Sequence, residues 1–462
     1  MSKQATPPSD GSIRNARELG IPKMLILGLQ HMFAMFGATV LVPLITGMSV
    51  QVTLFGAGLG TLLFHVFGKF KVPAFLGSSF AFMAGILAVR EAHVYAELTD
   101  LEKLQYAGGG IVIAGLLYLV LAMVIKVVGV KRVLRFIPPV VTGPIVILIG
   151  LILARHAVSQ AETNWLLALL SLGIIIVASL WGKGMVRIVP ILLGLFGAYI
   201  VAVGMHFFGV TNPDGSYIID FSRIAAERVV GLPPFHFVRF DWTAIIIMLP
   251  IAIATIMEHI GDIAAISHTV GEDLVEDPGL HRTLIGDGIS TMMSAGFGGP
   301  ASTTYGENVG VLALTRVYDP RVVRLAAVYA VVLSFLPQFA AFVYTIPPAI
   351  VGGVSFILYG MISAVGMRTV VENKVDFSNA RNLIIAAVIL VCGLGFPNRF
   401  TVTIGGQDII ITALAMAAVA GLFLNAVLPG KDYEFGKNPD GDTAVNLKAG
   451  PQDKIAPETD EG

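Results

Sequence analysis

The sequence predicts an all-α polytopic membrane protein whose fourteen transmembrane segments form two inverted repeats of seven. Three observations carry that expectation: a composition that belongs in lipid, a succession of apolar stretches with one-sided positive charge, and an internal repeat. Of the 462 residues 55% are hydrophobic and 13% charged, and mean hydropathy is +0.80, beyond the usual range of soluble domains. The 51 glycines and 24 prolines would damage soluble helices but are tolerated in membrane helices whose neighbours re-satisfy the freed backbone groups. A net charge of -1 gives no basic surface for a nucleic-acid partner. The single cysteine, Cys392, excludes internal disulfides and thiolate metal clusters and reads as a small hydrophobe.

A bilayer core of about 30 Å needs roughly 20 helical residues, and stretches of that kind can be taken in order. The polar segment 1-22 is followed by an apolar run too long for a cleaved signal core, so it reads as a retained tail. The first repeat, 23-208, has spans at 23-47, 51-69, 72-90, 105-129, 136-158, 163-182 and 186-208. A polar connection, 209-242, follows. The second repeat, 243-430, has spans at 243-270, 283-298, 299-315, 321-345, 347-371, 380-396 and 407-430, and the polar tail 431-462 reads as disordered from its Gly, Pro, Asp and Lys content. With the amino terminus in the cytoplasm, only Arg90, Lys103, Arg155, Arg223, Arg228, Arg239 and Arg399 of the 30 Lys and Arg fall outside. That bias supports both the count and the orientation, with both termini cytoplasmic.

Span five opens Ile137-Pro138-Pro139 and span twelve Ile346-Pro347-Pro348, with Gly143 and Gly352 at the same offset of 346 - 137 = 209 residues. Seven spans separate the two openings. An odd number per repeat inverts the topology of the halves, a hallmark of secondary transporters whose site lies near the midplane between repeats, in discontinuous spans. Spans three and ten have the right sequences. Each begins Pro-Ala, at Pro73 and Pro300, and continues through small and hydroxyl residues, Gly77-Ser78-Ser79 and Ser302-Thr303-Thr304. Such sequences suit extended backbone leading into a half-helix whose free N–H groups can grip an acceptor oxygen; close helix packing through small residues is the competing reading.

Charges at membrane depth mark function by default. Three carboxylates are recognised there: Glu258 and Asp262, four apart on one face of span eight, and Glu307 in span ten. Two carboxylates held together away from water resist simultaneous ionisation, which is what a proton carrier needs. Asp262 is equally suited to holding a backbone or a neighbour. His31 and His259 have no second histidine at ligand spacing and read as packing or hydrogen-bonding residues; neither a metal site nor a cofactor is expected. His268, Glu272, Asp273, Glu276, Asp277 and His281 read as a solvated cytoplasmic loop. The absence of a Gly-x-x-x-x-Gly-Lys loop disfavours ATP-driven transport, and no His-Glu-x-x-His, nucleophile elbow or redox cysteine pair suggests an enzyme.

The run Glu307-Asn308-Val309-Gly310-Val311-Leu312-Ala313-Leu314-Thr315-Arg316 resembles the signature of the nucleobase/ascorbate transporter family, and the likeness continues in Gln30-His31, Gly77-Ser78-Ser79-Phe80 and Glu258-His259-Ile260-Gly261. Glutamate at position 307, preceded by Tyr305-Gly306, is similar to the uracil-permease branch; purine carriers of the family usually have glutamine there.

The resemblance implies a core domain of spans one to four and eight to eleven that moves against a gate domain of spans five to seven and twelve to fourteen, within a homodimer. It implies that Glu258 and Glu307 hold the base, with backbone groups of Phe80, Gly306 and Glu307 on its edge and Ala38, Tyr305 and Tyr359 around its ring. Asn308 is then a support residue, with Ser79 and His31 beside it, and Glu258, Asp262 and Glu307 are the proton-coupling groups. At Asp262 some uracil carriers have histidine and other members an acid, so the resemblance keeps the function and leaves the proton's route open. The function implied is import of uracil with protons across the bacterial cytoplasmic (inner) membrane by alternating access, with lipid as the surrounding partner. A xanthine or urate carrier, or a channel or anion exchanger on the same architecture, are the alternatives.

Overall fold

The computed structural model describes residues 12–129, 138–212, 214–396, 400–404 and 407–430. Most of both expected tails (1–11 and 431–462), together with Ile137 and Arg399, lies outside the described residues. The described chain is predominantly helical, as it must be where lipid offers backbone groups no partner.

The first part contains α1 (Ile21–Thr46), α2 (Val50–Phe67), strand β1 (Leu76–Ser78), α3 (Phe80–Glu91), α4 (Asp100–Val128), α5 (Pro139–Ala161), α6 (Trp165–Trp181) and α7 (Pro190–Phe207). The second contains α8 (Trp242–Val270), α9 (Leu280–Gly296), strand β2 (Ser302–Thr304), α10 (Gly306–Thr315), α11 (Pro320–Ser334), α12 (Pro337–Tyr344), α13 (Pro348–Glu372), α14 (Ala380–Gly395), strands β3 (Phe400–Ile404) and β4 (Gln407–Ile411), and α15 (Ala413–Val427). Seven of the described helices are long and apolar enough to cross a membrane, or eight if the bent pair α11–α12 is one span. Helices α6, α14 and α15 are apolar but shorter. The chain is an integral membrane protein.

Local chemistry sets most helix starts. Side chains of Ser49, Thr99, Asn164, Asp241, Asp319, Asn379 and Thr412 accept N–H groups at the starts of α2, α4, α6, α8, α11, α14 and α15. Proline occupies the first turn of α1, α5, α7, α12 and α13, where its missing N–H costs nothing. Helices α3 and α10 have neither device.

Two expectations need correction. The expected single span 321-345 is bent by 87° between Ser334 and Pro337, because proline removes a backbone donor and its ring crowds the preceding turn. The expected span 407-430 becomes helical only at Ala413; residues 407–411 pair antiparallel with 400–404. Smaller shifts occur as well: span seven is a short turn, Met185–Ile188, before α7, and span nine begins at Leu280.

Packing divides the helices into two sets. Helices α2, α4, α8, α9 and α11 pack chiefly on one another, with α1 and α3, while α5, α6, α7, α13, α14 and α15 pack chiefly among themselves. The most extensive crossing in the second set is α5 on α13, whose helices start at equivalent prolines, 348 - 139 = 209 residues apart. Glycine is required at that crossing: a Cβ on Gly150 would lie 2.3 Å from the Tyr359 carbonyl oxygen, and one on Gly366 would lie 2.5 Å from the Ile147 nitrogen.

Candidate functional site

Strands β1 and β2 cross antiparallel in the middle of the first set, with Leu76 opposite Thr304, Gly77 opposite Thr303 and Ser78 opposite Ser302. The pair extends by Ser79 N–H to the Ala301 carbonyl (2.9 Å) and Tyr305 N–H to the Phe75 carbonyl (3.0 Å). A two-stranded sheet has two unpaired edges, which are costly when buried. Here threonines occupy them. The Thr61 hydroxyl on α2 takes the Leu76 N–H (2.9 Å) and donates to its carbonyl (3.2 Å); Thr291 on α9 does the same for Ser302 (3.2 and 2.8 Å).

Because the strands are antiparallel, α3 and α10 leave in opposite directions from the two ends of the crossing. No side chain caps either, so first-turn N–H groups of both are left without a side-chain acceptor. On the α3 side Phe80 is half-buried, and Ser79 is buried with its hydroxyl lacking a partner among the described residues. On the α10 side Gly306 is exposed and Glu307 partly so.

Other expected site residues brace this crossing. The Tyr305 hydroxyl donates to the Ser78 carbonyl (2.9 Å) and accepts from Thr39 (3.3 Å). Its ring lies against Gly77, where a Cβ would be 2.3 Å from Cζ. Asn308 donates through Nδ2 to the His31 carbonyl (3.2 Å) and lies 3.1 Å from His31 Nδ1, tying α10 to α1. Ala38 is buried on α1 next to Thr39. Tyr359, on α13 of the other helix set, is buried and reaches Met83 Sδ of α3 at 3.9 Å.

Glu258 lies mid-helix in α8 and keeps exposed surface. Its charged neighbours are Asp262, Glu307 and Asp287. Among the described residues no Lys or Arg pairs with either Glu258 or Glu307. Asp262 accepts the Thr304 hydroxyl at 2.7 Å, so it grips the end of β2 as well as standing beside the glutamates.

The expected number of deep carboxylates was one short. Asp287 on α9 is fully buried, with Oδ2 3.1 Å from Nδ1 of the equally buried His259, an ion-pair separation off the line of a formed hydrogen bond. A lone acid within Leu284-Ile285-Gly286-Asp287-Gly288-Ile289 was the sequence signal that would have found it. The edge-sealing threonines had no comparable signal. No three His, Cys, Asp or Glu come together as metal ligands among the described residues.

Carboxylates of α8 and α10 thus lie near one another beside a strand crossing from which two uncapped helices start. The helices are those of an integral membrane protein, and the strand crossing is its candidate site. The same fold occurs in the transmembrane domain of a cyanobacterium bicarbonate transporter, BicA, with TM-score 0.55 and 19% identity over 90% of this chain and 98% of that one.

The family is narrower than the fold. The sequence model of the Permease family (Xan_ur_permease) matches residues 22–402, and the chain belongs to that family of nucleobase/ascorbate transporters. It is 40% identical to the uracil permease of Bacillus caldolyticus, over 89% of this chain and 93% of the relative. It is 36% identical to the uracil permease of Bacillus subtilis (strain 168), over 87% and 91%. The chain is a permease and not an enzyme.

Proposed function

We propose that this permease imports uracil together with protons across the bacterial cytoplasmic membrane, with both chain ends in the cytoplasm. Uracil is planar and neutral, with two ring N–H donors and two carbonyl acceptors. Carboxylates of Glu258 and Glu307 satisfy the donors, amides at the starts of α3 and α10 satisfy the carbonyls, and Phe80 offers a stacking face. The observation that carries this reading is the combination of two glutamates that have no cationic partner among the described residues with two helix ends that no side chain caps. The relatives named uracil permease support the same ligand.

A neutral solute gains nothing from the membrane potential, whereas each accompanying proton gains about 2.3 kcal/mol per 100 mV. Coupling through Glu258, Glu307 and Asp262 therefore drives accumulation. We read the chain as fourteen segments in two inverted sevens. The matching roles of Thr61 and Thr291, in spans two and nine, and of β1–α3 and β2–α10, in spans three and ten, support that reading. The two packing sets support a core that slides against a gate in an elevator-like cycle; on this reading Tyr359 and Ala38 lie at the ring and a homodimer holds the gates fixed.

The test is uptake of radiolabelled uracil into proteoliposomes of the full chain, challenged by unlabelled thymine, xanthine and urate. Saturable uptake that purines do not compete is expected. Uptake abolished by xanthine, or absent for uracil, would reject the assignment.

A further inference from the structure

Where the chain enters α1, the segment before it is pinned to the ends of two site helices. Ile13 bridges to the stretch after α10, its N–H to the Arg316 carbonyl (2.8 Å) and its carbonyl to the Tyr318 N–H (2.9 Å). The Ala16 N–H donates to Asp319 Oδ2 at 2.7 Å. Arg14 pairs with Glu272 beyond α8 and donates to the Val270 carbonyl at 2.8 Å. The acidic loop expected to be merely solvated is thus partly a docking strip, and Lys71 holds its Asp277 in the same way.

This strap borders an open pocket of about 360 Å³ whose wall includes Arg14, Arg17, Arg321, Arg324 and Phe70. Glu272 offsets Arg14 and Asp319 offsets Arg321 (3.2 Å). Four guanidinium groups against two carboxylates leave two positive charges. Among the described residues Arg17 has no side-chain partner, and Arg324, held 5.0 Å over the Phe70 ring, has a buried Nη1 without an acceptor. A buried guanidinium N–H requires one, and a phosphate oxygen fits the fork best.

The surroundings decide which phosphate. Directly beyond the pocket, α1 exposes Ile21, Leu25 and Leu29 at successive turns, and the adjoining α11 exposes Val328 and Val332. The two helices are joined by the Tyr329 hydroxyl donating to the Leu25 carbonyl at 3.2 Å. An apolar strip of membrane-spanning helix that ends in unneutralised arginines matches acyl chains ending in an anionic headgroup. We propose that this pocket binds the phosphate of an anionic membrane phospholipid, which completes the docking of the strap on α8, α10 and α11.

Native mass spectrometry of the full chain, taken from bilayers of phosphatidylcholine containing phosphatidylglycerol, tests this directly. Preferential retention of phosphatidylglycerol is expected, falling about fivefold in Arg17→Gln and about fivefold in Arg324→Gln, as loss of one surface cation implies. Arg17 is exposed, so its variant leaves packing intact and stands even where Arg324→Gln fails to fold; Arg324→Lys should restore most of the preference. Unchanged retention in Arg17→Gln would overturn the proposal. So would displacement of the lipid by equimolar glycerol 3-phosphate or inorganic phosphate, which would make the pocket a site for soluble anions.

Discussion

The two arms of the strand crossing have one architecture and different chemistry. Each is a three-residue strand, sealed along its outer edge by a threonine and followed by an uncapped helix. The β1–α3 arm brings Ser79 and Phe80, a hydroxyl and a ring. The β2–α10 arm brings Glu307 and three side-chain ties, Thr304 to Asp262, Tyr305 to Ser78 and Asn308 to His31, while β1 is held to α1 by the Ser78 hydroxyl donating to the Thr39 carbonyl at 2.9 Å. The difference teaches how such a site divides its labour. On the proposed reading Glu307 holds solute and exchanges a proton from a fixed position, which the ties of its arm to α1, α8 and β1 supply.

The largest break in this comparison comes from the carboxylate facing the acid arm. Glu258→Gln should lower uracil uptake at subsaturating concentration at least ~10-fold, since a hydrogen bond to a charged group contributes about 1.5–3 kcal/mol; initial rates in proteoliposomes measure it. Next comes the joint between the arms. Gly77→Ala puts a Cβ 2.3 Å from the Tyr305 ring, and should destabilise the protein by about 1–3 kcal/mol, read as a lowered Tm in detergent.

Gly306→Ala sharpens the contrast, because its Cβ would meet only Asp262 Oδ1 at 3.7 Å. Its Tm should stay within a degree or so of wild type while KM rises, reporting on access to the α10 amides alone; a Tm loss matching that of Gly77→Ala would erase the distinction. The smallest effect belongs to the anchor. Thr304→Val removes the hydroxyl from Asp262 and should raise KM about 2- to 10-fold, the value of one net hydrogen bond, with kcat largely kept.

Much of this was legible in the sequence because it depends on local signals. The apolar stretches, the prolines that start α5 and α13, the small and hydroxyl residues of β1 and β2, and the acids Glu258, Asp262 and Glu307 all announce themselves within a few residues. Two errors had readable remedies. Pro337 inside the run 321–345 marks the bend, and Thr401-Val402-Thr403-Ile404-Gly405-Gly406 followed by Gln407-Asp408-Ile409 carries the two-residue Gly-Gly signal of a hairpin. Apolarity alone had merged 407–411 into a helix. What local signals could not supply is partnership at long range. Nothing near Thr61 points to Leu76, nor near His259 to Asp287, nor near Arg14 to Glu272; these pairs exist because packing brings distant helices together.

We propose that Glu307, at the start of α10, holds the base. Equilibrium binding of radiolabelled uracil to the purified chain, wild type beside Glu307→Gln, tests it most directly. The account predicts saturable binding by wild type, with at least ~10-fold weaker binding once a neutral amide replaces the carboxylate. Equal affinity in the two proteins would mean that Glu307 is not the group that receives uracil, and the assignment of the site to this crossing would fall with it.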